Sequence, residues 1–108
     1  MKLKKLGSTD IKVSLMCLGT MTFGEQNSAK ESYSLMDQAF ERGINFFDTA
    51  EMYPVPPKKE TVHRTEEIIG SWERFHNKRD QIVMASKVTG PGLDYLSPEK
   101  KAFSSKNI

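Results

Sequence analysis

Three short apolar runs, separated by stretches of helical period, constrain this chain more than anything else in it. They are "LMCLG" at 15–19, "INFF" at 44–47 and "QIVMASK" at 81–87. The first is a continuous apolar run ended by glycine. Such a run marks a strand buried on both faces, as in a parallel sheet, and makes Cys17 a small core residue. A helix fits between the first two runs. Ser28 is a good N-cap with Glu31 as its capping-box partner, and Tyr33, Met36 and Phe40 recur at helical spacing. Gly43 stands where a C′ glycine would end that helix. A second helix is expected over 65–76, with Ile68, Ile69, Trp72 and Phe75 on its apolar face. Ahead of all this, "KLKKLGSTDIKVS" reads as a hairpin turning at Gly7-Ser8-Thr9-Asp10. The order is a hairpin followed by β-α-β-α-β. That pattern predicts right-handed βαβ units, with three adjacent parallel strands and both helices on one side of the sheet.

Charge and cysteine usage narrow the function classes. A formal net charge of +2 is near balance, and the lysines fall in scattered groups without interleaved aromatics. They read as solvated surface, which argues against a nucleic-acid partner. One cysteine cannot form an intramolecular disulfide or a cysteine-based metal cluster, and no metal site is expected. The lysine-rich start lacks the apolar segment of a signal peptide, and no stretch approaches the ~18 apolar residues of a membrane span. The expected compartment is the cytoplasm. "GPG" at 90–92 lacks the spacing of a dinucleotide fingerprint. "GTMTFGEQ" has Glu-Gln where a P-loop needs Lys-Ser/Thr.

In "NFFDTAEMYPVPP", residues 45–57, an aspartate closes an apolar strand. An acid in that place is costly unless something pairs with it. In parallel α/β folds, ligands sit at the carboxyl ends of the strands. Gly19 and Thr20 end the first strand, Asp48 the second and Lys87 the third, and Tyr53 lies in the loop leaving the second. Alternation puts Ile44, Phe46 and Asp48 on one face of their strand, and Val83, Ala85 and Lys87 on one face of theirs. Lys87 is therefore the candidate partner of Asp48. An ammonium held there also favours the ionised form of a nearby phenol, so Tyr53 becomes a candidate proton donor to a carbonyl oxygen. Read singly, each residue has a plain structural role: Asp48 a cap, Tyr53 a half-buried ring, Lys87 a solvated charge.

"GTMTFGE", "GINFFDTAEMY", "TEEIIGSW" and "IVMASKV", in this order and spacing across residues 3–88, resemble the aldo-keto reductase family. The resemblance implies the N-terminal portion of a (β/α)8 barrel: a hairpin plugging the bottom, then the first three strands and two helices, over residues 1–108. It implies reduction of aldehydes and ketones with NADP(H). Tyr53 would be the general acid, tuned by Lys87. Asp48 would pair with Lys87 and touch the nicotinamide ribose, and Gly19, Thr20 and Met21 would lie against the nicotinamide end. The partner implied is a small-molecule carbonyl substrate, with the particular carbonyl and the oligomeric state left open.

Two departures from the family pattern bear on function. "PVPPKKETVHR" fills the loop after Tyr53, as in a bacterial subgroup. The length is also well below the about 250 residues of a whole barrel. The family's fourth catalytic residue, a histidine on the fourth strand, has no counterpart here, because His63 and His76 belong to the second helix region. The phosphate-holding segments lie later in the family's chain. These 108 residues by themselves are therefore expected to be inactive, with unpaired strand edges and a wet inner face around Phe46. The alternative reading is a truncated, non-catalytic fragment, or a regulatory barrel like the family's channel-associated members.

Overall fold

The computed structural model describes residues 1–96 and 105. Strands β1 (Leu3–Lys5) and β2 (Lys12–Ser14) pair antiparallel around the expected turn, where Gly7 takes a φ of +60°. The next three strands are β3 (Cys17–Gly19), β4 (Phe46–Asp48) and β5 (Val83–Ala85). They form one parallel sheet in chain order, with β4 in the middle. The described residues thus form an open three-stranded parallel α/β sheet preceded by a hairpin, as the opening portion of a barrel requires.

Helix α1 (Ala29–Glu41) starts and stops where its sequence dictates. The Ser28 hydroxyl accepts from the Glu31 amide at 3.1 Å, and the Glu31 carboxylate accepts from the Ser28 amide at 2.8 Å. Gly43, at φ +88°, closes the far end. Met36 is fully buried, and Tyr33 and Phe40 pack beside it against the core.

The second helical stretch is not one helix. It is α2 (Arg64–Gly70) followed by α3 (Glu73–Asn77), with Trp72 between them in extended backbone (φ −70°, ψ 122°). Glycine and serine at 70–71 are weak places for a helix to continue. Breaking there turns the Trp72 indole inward, its ring 5.5 Å from that of Phe47 and 6.2 Å from that of Phe40. Its N–H donates to Asp37 Oδ1 at 2.9 Å, so the buried ring has no orphan donor. Arg74 locks the same corner, binding Asp37 at 2.9 Å and Glu41 at 2.7 Å.

The strands are shorter than the apolar runs. Leu15, Met16, Ile44 and Ile82 lie outside them. Register decides which strand residues are buried. Leu18, Phe47 and Met84 share one row and face the helices, where Phe47 is fully buried. Burying such a ring contributes about 1.5–3 kcal/mol. Cys17, Phe46 and Val83 form the next row on the opposite face, and Cys17 is exposed there rather than in the core. Only one face of this sheet is covered among the described residues, so the continuous run of β3 is not buried on both sides. A residue from the loop, Phe23, completes the core. Its carbonyl accepts from the buried Thr65 hydroxyl at 2.7 Å. The end of the expected partial-barrel unit, 97–104 and 106–108, lies outside the described residues.

Asn45 fixes the hairpin beneath the sheet. Its side-chain oxygen accepts from the Ser14 amide at 2.7 Å, and its amide nitrogen donates to the Lys12 carbonyl at 3.1 Å. The Ser14 hydroxyl accepts from the Asn45 backbone at 3.2 Å. Asn45 directly precedes β4, so the hairpin sits at the amino end of the strands. The opposite end is left open.

Candidate active site

At that open, carboxyl end, Gly19, Asp48 and Ala85 make up the last row of the sheet. The ladder does not stop with the strands. The Thr49 amide donates to the Ala85 carbonyl at 2.8 Å, and the Glu51 amide to the Lys87 carbonyl at 3.4 Å. This extension carries Lys87 two residues past Ala85 onto the face of Asp48.

Lys87 Nζ makes three contacts. It lies 2.8 Å from Asp48 Oδ2, 2.7 Å from the Thr49 carbonyl oxygen and 3.2 Å from the Tyr53 hydroxyl. It also stands 4.8 Å from the centre of the Tyr53 ring. The three donor hydrogens of the ammonium match these three acceptors. Desolvation pulls the Lys87 pKa down, but hydrogen bonds to Asp48 and Tyr53, with the charge of Asp48, outweigh it. The net effect holds Lys87 above the ordinary lysine value, so it stays charged. Cys17 feels the same cluster. Desolvation and the Asp48 carboxylate raise its thiol, while Lys87 acts in the other direction.

Of the residues singled out in the sequence, Asp48, Tyr53 and Lys87 come together in one hydrogen-bonded group. Gly19 and Met21 are exposed beside it. Thr20 is fully buried. Its hydroxyl and its backbone N–H both donate to the Asp48 carbonyl, at 2.8 and 3.1 Å. Thr20 thus anchors the backbone of Asp48, and its side chain has no free face at the strand end. His63 and His76 are exposed and take no part in the trio. His63 adopts a left-handed backbone at the start of α2.

Reasoning from the sequence missed the Thr49 carbonyl as the third ligand of Lys87, and missed Glu51. The Glu51 carboxylate accepts from the Thr89 backbone N–H at 2.7 Å. A backbone acceptor leaves no mark in residue types. Glu51 carried a weak signal, as an acid three residues past a strand end.

A parallel strand end bearing an acid, a lysine and a phenol is suited to moving a proton in an α/β protein, and comparison with known proteins gives the family. A family model described as the aldo/keto reductase family matches residues 15–108. The chain is 46% identical over 111 residues to Protein tas of Escherichia coli (strain K12), covering all of this chain and 32% of that one. It is 41% identical over 90 residues to the uncharacterized oxidoreductase YrpG of Bacillus subtilis (strain 168), covering 82% and 27%. An aldo-keto reductase from Bacillus halodurans, solved in its holo form, matches with a TM-score of 0.66 at 29% identity, covering 86% and 28%. This chain belongs to the aldo/keto reductase family. It spans about a third or less of the length of these two curated relatives.

Proposed function

We propose that residues 1–108 are one partial-barrel unit carrying the acid–base trio of an NADP(H)-dependent, cytoplasmic reductase of aldehydes and ketones. The observation that carries this reading is the single ammonium shared by Asp48, Thr49 and Tyr53. The strand end also has room for a flat ring. Among the described residues other than its chain neighbours, nothing lies within 4 Å of where a Cβ on Gly19 would stand, and Met21, two residues on, is half exposed. A nicotinamide fits there, with Gly19, Met21 and Asp48 as the residues to hold it. Bound in reduced form, it supplies a hydride to the carbonyl carbon of the substrate.

The chain's own residues manage the proton. The Tyr53 hydroxyl donates to the carbonyl oxygen, so the phenol O–H bond breaks as the alcohol O–H bond forms. The charge left on the Tyr53 oxygen faces the Lys87 ammonium, a preorganised cation that needs no rearrangement at that moment. Asp48 and the Thr49 carbonyl hold that ammonium in place. Bulk solvent then returns the proton to Tyr53.

The test is reduction of benzaldehyde by the whole protein with NADPH or NADH, with wild type beside Tyr53→Phe. The reading expects turnover that favours NADPH and falls roughly 10²–10⁴-fold in Tyr53→Phe. A Tyr53→Phe protein that keeps its full rate overturns it.

A further inference from the structure

We infer that Glu51 is a positioning residue for Lys87, acting through the backbone on the far side of the lysine. The three polar groups of Glu51 tie two other segments, the one after β5 and the start of α2, to the β4 loop. Its N–H reaches the Lys87 carbonyl at 3.4 Å, its own carbonyl accepts from the His63 N–H at 3.1 Å, and its carboxylate accepts from the Thr89 N–H at 2.7 Å. The last is a charge-assisted bond to a buried residue, stronger than a neutral one. On the near side of the lysine, the Ser86 hydroxyl donates to Glu66 of α2. Lys87 is itself exposed, two residues beyond the last paired position of β5. A four-carbon stem on a backbone without these bonds would sample many rotamers. Glu51 and Glu66 bracket that backbone from both sides and bind it to the same connection that carries Tyr53. The distance between ammonium and phenol is then set by the bracket as well as by the ion pair with Asp48.

This inference deepens the reductase reading and rests on it for its functional meaning, but its test does not depend on turnover. The side chain of Lys87 is followed by NMR in the folded chain, together with hydrogen exchange at the Thr89 amide. The groups facing the ammonium are Asp48, Tyr53 and, more distantly, Cys17. Glu51→Gln keeps an acceptor oxygen at the same reach and is expected to keep both the Thr89 protection and the raised Lys87 titration. Glu51→Ala removes the acceptor. Thr89 exchange should then speed up about 10- to 100-fold, and the Lys87 titration should fall toward the ordinary lysine value. Glu51→Asp retracts the acceptor by one methylene while keeping the charge, and it should show the same losses if the alanine protein does not fold. Release of Thr89 without any change at Lys87, in either variant, overturns the inference. Failure of the reductase reading would instead appear as an unaltered rate in Tyr53→Phe while the Glu51 variants give the Thr89 and Lys87 signals expected above.

Discussion

The Lys87 ammonium reaches back 39 residues in sequence to the Asp48 carboxylate and meets it at 2.8 Å, one strand over. Their side chains are 47% and 36% exposed, so the pair adds about 0–1 kcal/mol to stability. Its value lies in where it holds the charge.

That pair gives a pH prediction. The folded-state pKa of Lys87 is raised. Its contribution to stability is therefore full below the unfolded lysine value of about 10.4 and is lost as pH rises through the folded value. Asp48→Asn removes the largest upward influence and leaves the desolvation. Lys87 should then titrate lower, and the alkaline loss of stability should begin at lower pH. Urea unfolding between about pH 9 and about pH 12, with NMR titration of Lys87, checks both. An unchanged Lys87 titration in Asp48→Asn would contradict this account of the charge.

Two threonines near the site should respond in opposite ways. Thr20→Val deletes the hydroxyl that donates to the Asp48 carbonyl, at an expected cost of about 1 kcal/mol. The Thr49 hydroxyl is buried without a hydrogen-bond partner among the described residues. Thr49→Val should be neutral or slightly stabilising. Chemical denaturation of the two proteins side by side gives the comparison.

Gly24 has φ +99°, and a Cβ there would stand 2.7 Å from Arg64 Cγ and 3.3 Å from Ile68 Cδ1. Gly24→Ala should cost about 1–2 kcal/mol from the backbone alone, with the clash added. Arg64→Ala in the same chain should recover only the part owed to the clash. Full recovery in the double variant would show that the backbone is not strained. Thermal melts of the three variants decide it.

Asn45→Ala should loosen the hairpin from the sheet, because the buried Ser14 amide loses its acceptor, at about 1–3 kcal/mol. Asn45→Asp keeps that acceptor and loses the donor to Lys12, so its penalty should be smaller. Faster amide exchange at Ser14 in the alanine variant, with the core amides less affected, is the expected signature.

Periodicity carried the parts of this fold that are set by neighbours in the chain. The capping box at Ser28 and Glu31, the C′ glycine at 43 and the strand ending in Asp48 are each readable from a few consecutive residues. The Asp48–Lys87 pairing was also legible, because alternation fixes the face of each residue once the strands are adjacent. What stayed hidden depends on partners far away. The break at Trp72 follows from an indole that must reach Asp37, 35 residues earlier. Phe23 has no periodic neighbours to mark it as core, because the residues it packs against lie on other elements. Cys17 looked buried because an apolar run cannot say whether a second layer covers it.

The chain-order sheet has a consequence for how the site comes into being. Among the described residues each new strand of the sheet adds beside the one made before it, so the sheet can grow as the polypeptide emerges, one crossover at a time. The hairpin cannot be fastened until Asn45 is made, and Asp48 follows three residues later. The cation that pairs with the acid in the finished fold is not made until residue 87. Lys87 is the last member of the trio to be synthesised, so its docking onto Asp48 and Tyr53 marks the moment when all three strands are in register. A probe of the Lys87–Tyr53 contact would therefore report on the completion of this part of the fold during synthesis.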